Sequence, residues 1–382
     1  MKLLRALCIL FFAFPLIAHA QTNTQAPAPI SSQSETFEAR VIEIVNTRTI
    51  TREDSSTAVQ QDLRLQGLTG NFKDREMQTR GISDLDVIDA GVYKQGDRVI
   101  VSYDIRADGT SLFTVTDYVR RPYLYLLAAL FLISIIAIGR WKGLRAFIGL
   151  FITFLVIMLF MIPQILNGAN PILISVLGSI VIAIASTYIT EGWSRKSHTA
   201  IGSIACTLLV ALGLSILFTK LTRLTGFAQE ETLYLLSLGK GIINFQGLLL
   251  AGILIGTLGV LDDAVLSQIE AVAQIREANP LMSKTRIFKM ASKIGNSHLG
   301  AIVNTLFLTY AGASLPLLLL FKIHAAGPIP YAQVLNSEVM ATEIIRTLVG
   351  SIAIAFALPI ATLFAVYSSA EPQSKPARAA SA

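Results

Sequence analysis

Seven apolar stretches recur along this chain, near 122–139, 146–165, 171–190, 199–219, 242–262, 298–321 and 344–367. Each is about 20 residues long, the length at which a helix just crosses a hydrocarbon core of about 30 Å. Such a segment has no water to bond its backbone, so it must be helical or part of a closed barrel. With 53% hydrophobic and 15% charged residues and a mean hydropathy of +0.60, lipid is the main solvent of the chain. The expected fold is a mainly α-helical polytopic membrane protein with about seven transmembrane helices (residues 120–367), preceded by a small all-β extracytoplasmic domain.

The residues before the first span read differently. Met1 to Ala20 has a secretory signal's layout: Lys2 and Arg5, an apolar core from Ala6 to Ile17, and the small-x-small site Ala18-His19-Ala20. An uncleaved signal anchor is the other reading. Cleavage would remove Cys8 and leave Cys206, and one thiol builds neither a disulfide nor a zinc site. Residues 21–35 are a polar linker, and 368–382 a polar, disordered cytoplasmic tail. Between them, residues 36–119 alternate as strands do: Phe37, Ala39 and Val41 against Glu38 and Arg40, then Leu63 and Leu65, Val99 to Val101, and Phe113, Val115 and Tyr118. The phase shift at Val41-Ile42 marks a bulge. A five-stranded barrel of the OB type fits, with a partner-docking or regulatory role.

A cleaved signal and seven crossings place the β domain outside and the C-terminus in the cytoplasm of a bacterial inner membrane. The inner connections and tail then carry twelve Lys and Arg, including Arg140, Lys142, Arg145, Arg195, Lys196 and Lys293. The outer connections carry four: Lys220, Arg223, Lys240 and Lys322. That bias follows the positive-inside rule, although Arg120 and Arg121 oppose it. The net charge of +6 is thereby a matter of orientation, and no nucleic-acid partner is expected.

The fifth span ends on two adjacent carboxylates, Asp262 and Asp263, and charge near membrane depth is costly enough to suggest a use. Two readings stand side by side. One carboxylate caps the helix that follows, or the two share a proton or cation. Gly252, Gly256 and Gly259 allow close helix packing, Gly252 and Gly256 as a GxxxG pair. Beyond them Asp263, Ser267, Glu270, Gln274 and Glu277 form one polar stripe ending at Asn279-Pro280. On the sixth span Asn304 needs an amide partner, from another helix or from the Asp262 and Asp263 pair, and His298 lies nearest the inner carboxylates. The candidate coupling set is therefore Asp262, Asp263, Glu270, His298 and Asn304. Glu343 and Arg346 are spaced as an i, i+3 ion pair. No P-loop, nucleophile elbow, zinc-protease or dinucleotide motif occurs, so neither an enzyme nor a cofactor is expected. The expected partners are the lipid bilayer, an extracytoplasmic protein on residues 36–119, and further copies of the chain.

Three blocks carry a family resemblance: Gly247-Leu-Leu-Leu-Ala-Gly-Ile-Leu-Ile-Gly-Thr-Leu-Gly-Val-Leu-Asp-Asp263, Ala291-Ser-Lys-Ile-Gly-Asn-Ser-His298, and Asn304-Thr-Leu-Phe-Leu-Thr-Tyr-Ala-Gly-Ala-Ser-Leu-Pro-Leu-Leu-Leu-Leu320. Through them the chain resembles the YibE/F family of bacterial multi-span membrane proteins over most of residues 120–367. The resemblance implies a plasma-membrane permease and supplies no catalytic residues. A weaker likeness runs from Gly259-Val-Leu-Asp-Asp-Ala-Val to Gln274-Ile-Arg-Glu277, which is similar to a stretch of the SecD/SecF export proteins. Those are proton-driven, RND-type permeases, but their external domain follows a span instead of preceding the first.

Overall fold

The computed structural model of the chain describes residues 35–51, 57–79, 92–105, 111–228, 230–237, 243–325 and 331–368. The signal, most of the linker and nearly all of the C-terminal tail lie outside these residues. The chain divides into two compact units, Met1–Ala129 and Leu130–Ala382.

The first unit is built on an antiparallel sheet of β1 (Glu35–Thr51), β2 (Thr57–Gly67), β3 (Glu76–Thr79), β4 (Arg98–Ile105) and β5 (Ser111–Tyr118), in the order β3-β2-β1-β4-β5. The central strand β1 pairs with β4 over its first six residues and with β2 from Ala39 to Thr51. Its register slips between Val41 and Glu43 and again between Ile44 and Asn46, so the expected bulge at Ile42 is present and a second follows. The two end strands β3 and β5 come into contact, curling the sheet toward a partly open barrel. Alternation delivers the core expected of it: Phe37, Ala39, Val41, Leu63, Leu65, Val99, Val101 and Val115 are all buried. The 3-10 turn Gly70–Phe72 closes one end of that core, where the Phe72 ring stacks on Phe37 at 4.7 Å and meets Phe113 edge-on at 5.4 Å. Gly96, at φ +97°, makes the turn before β4, and the Asp97 carboxylate accepts the Lys94 amide at 2.8 Å.

Buried Gln61 clamps the Tyr93 backbone, accepting its amide at 2.7 Å, and Tyr93 packs on Tyr118 with ring centroids 4.9 Å apart. Burial first, then the neighbouring Tyr118 and Asp117, pushes the Tyr93 phenol up to about 12 from 10.0. Unfolding returns it to 10.0, so the stability tied to this group is complete below pH 10 and falls as pH rises toward 12. Ultraviolet difference titration of wild type against Tyr93→Phe should show one phenol ionising near pH 12. A difference signal near pH 10 would contradict the buried site.

The second unit is helical. Its elements are α1 (Arg121–Leu155), which begins in the first unit, a π-helical turn (Val156–Met161), α2 (Ile162–Leu166), α3 (Pro171–Glu191), α4 (Arg195–Leu221), α5 (Glu230–Ser237), α6 (Phe245–Ala278), α7 (Lys284–Ala313), α8 (Leu315–Ala325), α9 (Tyr331–Leu335) and α10 (Glu338–Ser368). Asn170 and Asn244 cap α3 and α6 by accepting the first free amides, and Pro171 takes the first helical position of α3.

Among the described residues five helical stretches are long and apolar enough to cross a membrane, where seven separate spans were expected: Arg121–Leu166, α3, α4, α6 and α10. Two causes account for the difference. The first two expected spans belong to one helical stretch that reverses at Arg140, whose φ of +48° and ψ of −129° are not helical. Phe131 and Phe147 would stand about 24 Å apart on a straight helix, yet their ring centroids are 6.5 Å apart. The sixth expected span is divided at Ser314 between α7 and α8, and its α7 part carries His298, Asn304, Thr305 and Thr309.

The arms of the reversal meet where Gly143 leaves no room: a Cβ there would lie 2.2 Å from the Ile135 carbonyl oxygen. Backbone cannot yield as a flexible side chain can. Gly143→Val is expected to cost about 1–3 kcal/mol, as overpacking usually does, and to lower the melting temperature of the detergent-solubilised protein, whereas Gly139→Val, in open space, should not.

Candidate functional site

α6 is the hub of the helical unit. It packs on α3, α4, α10 and α7, which follow one another as an arc of neighbouring helices. The contacts fix directions. Gly247 lies against Pro171 and Asp262 against Ser186, so α3 runs parallel to α6. Gly256 lies against Tyr310 and Gln268 against Gly295, so α7 is antiparallel. One side of α6 is left open, and along it Gly252, Gly259, Asp263, Ser267, Glu270, Gln274 and Glu277 are exposed.

The capping reading of the aspartates does not survive this geometry. Phe245–Ala278 is one unbroken helix, so Asp262 and Asp263 sit near its middle and there is no following N-terminus to cap. Successive residues turn by about 100° on a helix, and the two carboxylates part company. Asp263 faces the open side. Asp262 turns into the seam with α3, where Ser186 Oγ donates to its Oδ2 at 3.0 Å. The other oxygen, Oδ1, is buried with no hydrogen-bond partner among the described residues. Asp263 and Glu191 are within electrostatic reach of Asp262. Asp262 lies about 12 Å along the helix from Glu270, and Ser186 about 7.5 Å from the end of α3. A carboxylate held this way has a free, desolvated oxygen that can take up a proton or contact a small cation.

The remaining candidates lie elsewhere. Glu270 is engaged by Lys196 Nζ at 2.7 Å and Gln274 Nε2 at 2.8 Å on an exposed surface. His298 is exposed, and Asn304 is exposed on the side of α7 opposite the buried stripe of Ile287, Ala291, Gly295 and Leu306. Neither is brought to Asp262. Of the three glycines, Gly256 makes the close approach, since a Cβ there would stand 2.2 Å from Tyr310 Oη, while Gly252 and Gly259 have nothing within 4 Å. Glu343 and Arg346 do pair, at 3.3 Å, and Glu343 also accepts from Ser314 Oγ at 3.1 Å. No three His, Cys, Asp or Glu side chains among the described residues are grouped to hold a metal ion.

Two residues that matter here escape a reading by sequence. Ser186 looks like one more hydroxyl in an apolar span, yet it shares a helical face with Ser175 and Ser179, and that face meets α6. Gln268 is 3% exposed and joins three helices, its Nε2 donating to Ala291 O at 2.9 Å and to Thr362 Oγ1 at 2.7 Å. Gly295 is the complement to that amide, for a Cβ would lie 2.7 Å from Gln268 Oε1. The block Ala291 to His298 thus has a structural reason for its glycine.

Residues 127–370 match the family model described as YibE/F-like protein. The chain belongs to the YibE/F family. No curated protein and no solved structure matches it. The YibE/F match covers the whole α6 hub, with Asp262, Ser186 and Gln268, and leaves the β sheet outside.

Gln268→Leu leaves a buried carbonyl and hydroxyl without their donor, at about 1–3 kcal/mol. The variant should melt several degrees below wild type in detergent, and Gln274→Leu, on the exposed face, should not. Equal melting of the two would remove Gln268 as the joint of the three helices.

Proposed function

We propose that this YibE/F protein is a plasma-membrane permease or export-associated protein in which Asp262 takes part in proton or cation coupling. The observation that carries the reading is the seam of α3 and α6, where one Asp262 oxygen is bonded to Ser186 and the other is buried and unpaired. A purely structural carboxylate would be expected to fill both oxygens, because a bare one below the headgroups is costly. Asp263 and the acidic stripe continue from that point along the open side of α6 toward the end that bears Lys196. They form the approach to Asp262, not the coupling group itself.

The topology that goes with this reading has seven crossings: the two arms that meet at Arg140, then α3, α4, α6, the α7–α8 segment and α10. After signal cleavage the β domain is outside and the C-terminus in the cytoplasm of a bacterial inner membrane, with the Lys and Arg bias as support. The transport is not enzymatic. A non-transporting scaffold or sensor that binds an external partner through the β domain is the competing reading.

Proteoliposomes loaded with a pH-sensitive dye separate the two. Under an imposed potential, wild-type protein should carry protons or a supplied cation. Asp262→Asn should lower the flux at least tenfold, Ser186→Ala less, and Asp263→Asn about twofold. Flux unchanged in the Asp262→Asn, Asp263→Asn double variant would end the coupling role. A wild-type protein without flux, with a phenotype that vanishes on deletion of residues 36–118, would favour the scaffold.

A further inference from the structure

The outward side of α7 is unlike the outside of a helix that meets only lipid. Its buried stripe packs on α6 and α10, and the opposite side exposes Ser297, Ala301, Asn304 and Leu308, spaced four, three and four apart. Gly300 adjoins them with nothing within 4 Å of where a Cβ would stand. That is the spacing of a seam between two helices, and small residues on it let backbones approach.

Depth makes the amide decisive. Leu306 touches Gly350, a Cβ at which would be 3.0 Å from Leu306 Cδ2. Asn304 is therefore level, to about 3 Å, with the middle of the 31-residue α10. Nearby hydroxyls are satisfied within their own helix: Thr305 Oγ1 donates to Ala301 O at 2.9 Å and Thr309 Oγ1 to Thr305 O at 2.8 Å. The Asn304 side chain makes no hydrogen bond to any described residue, and lipid chains offer it none.

We propose that α7 pairs with α7 of a second copy of this chain, about a twofold axis along the membrane normal, with Asn304 hydrogen-bonded to Asn304 of the other copy. A carboxamide both donates and accepts, so two of them across a twofold satisfy each other, as buried asparagines do in paired helices. The obvious rival inside the chain is the apolar segment Ala6 to Ile17. It holds no carboxamide, hydroxyl or charge, so it would cover the seam and leave Asn304 unpaired. Arg286 and Lys293 extend the same side of α7 toward its start and bound the seam, so close contact runs from Ser297 upward. The pairing does not depend on transport.

Disulfide cross-linking in native membranes tests it. The full-length chain carries Cys8→Ser and Cys206→Ser, then one new cysteine each at Ala301, Leu308, Ile302 or Leu306. With Asn304 retained, oxidation should give a band of twice the monomer mass for positions 301 and 308, and little for 302 and 306. Adding Asn304→Leu to the Ala301→Cys protein should reduce that band about tenfold, and Asn304→Gln, which keeps the amide, should restore most of it. No doubled band at 301 and 308, equal bands at all four positions, an adduct of some other mass, or indifference to Asn304→Leu would each overturn the pairing. Positions 301 and 308 are read with the native asparagine in place, so a folding defect in Asn304→Leu cannot decide the result.

Discussion

Polar groups placed below the headgroups find no water, and the helical unit is arranged around that constraint. Along α4 the hydroxyls of Ser203, Thr207 and Ser215 each return to the carbonyl four residues earlier, and Thr257 and Thr362 do the same on α6 and α10. What local bonds cannot satisfy is carried between helices. Gln268 does this for α6, α7 and α10, and Ser186 for α3 and α6. The hub is thereby tied by a few directional bonds inside an apolar contact surface that contains Leu258, Leu261, Val265 and Ile269. Against that background the unpaired Oδ1 of Asp262 and the bare amide of Asn304 stand out by their polarity from the buried hydroxyls of Ser175, Ser179, Thr187, Thr219 and Thr342, which also lack a partner among the described residues.

Much of this was legible in the sequence because the signals were periodic. Period-two alternation gave the inward residues of β1, β2 and β4 and the bulge at Ile42, since a half-buried strand must repeat its apolar side chains every second residue. Apolar runs gave the membrane helices. The losses came where a run of letters hides a change of direction or the lack of one. Arg140 itself takes the reversing backbone, between Gly139 and Gly143, so the two runs 122–139 and 146–165 are arms of one interrupted stretch and not separate helices. Asp262-Asp263 looks like a helix start, yet the helix passes straight through, because Ala264, Val265, Ile269 and Val272 keep one face buried beyond the carboxylates.

The site was legible only in part. The polar stripe from Asp263 to Glu277 could be read from spacing, and it does form one exposed side of α6. Spacing within one helix does not say which neighbour a side chain meets. It therefore grouped His298 and Asn304 with the aspartates, although both are exposed on α7, and passed over Ser186, which lies 76 residues from the carboxylate it serves. The pairing of Gly256 with Tyr310 and of Gly295 with Gln268 is of the same kind: each half is unremarkable until the other helix is in place.

The parallel packing of α3 and α6 has an electrical consequence. Their first turns lie side by side, Gly247 against Pro171, each capped by an asparagine. Each start bears about half a positive elementary charge from its aligned peptide groups. Together the two starts place roughly one positive charge at one rim of the bilayer. The carboxylates of Asp262 and Glu191 lie toward the opposite rim, where α3 ends. For α3 the backbone and these carboxylates thus point the same way, positive at the capped rim and negative where the helix ends, while α6 runs on about 16 Å past that level.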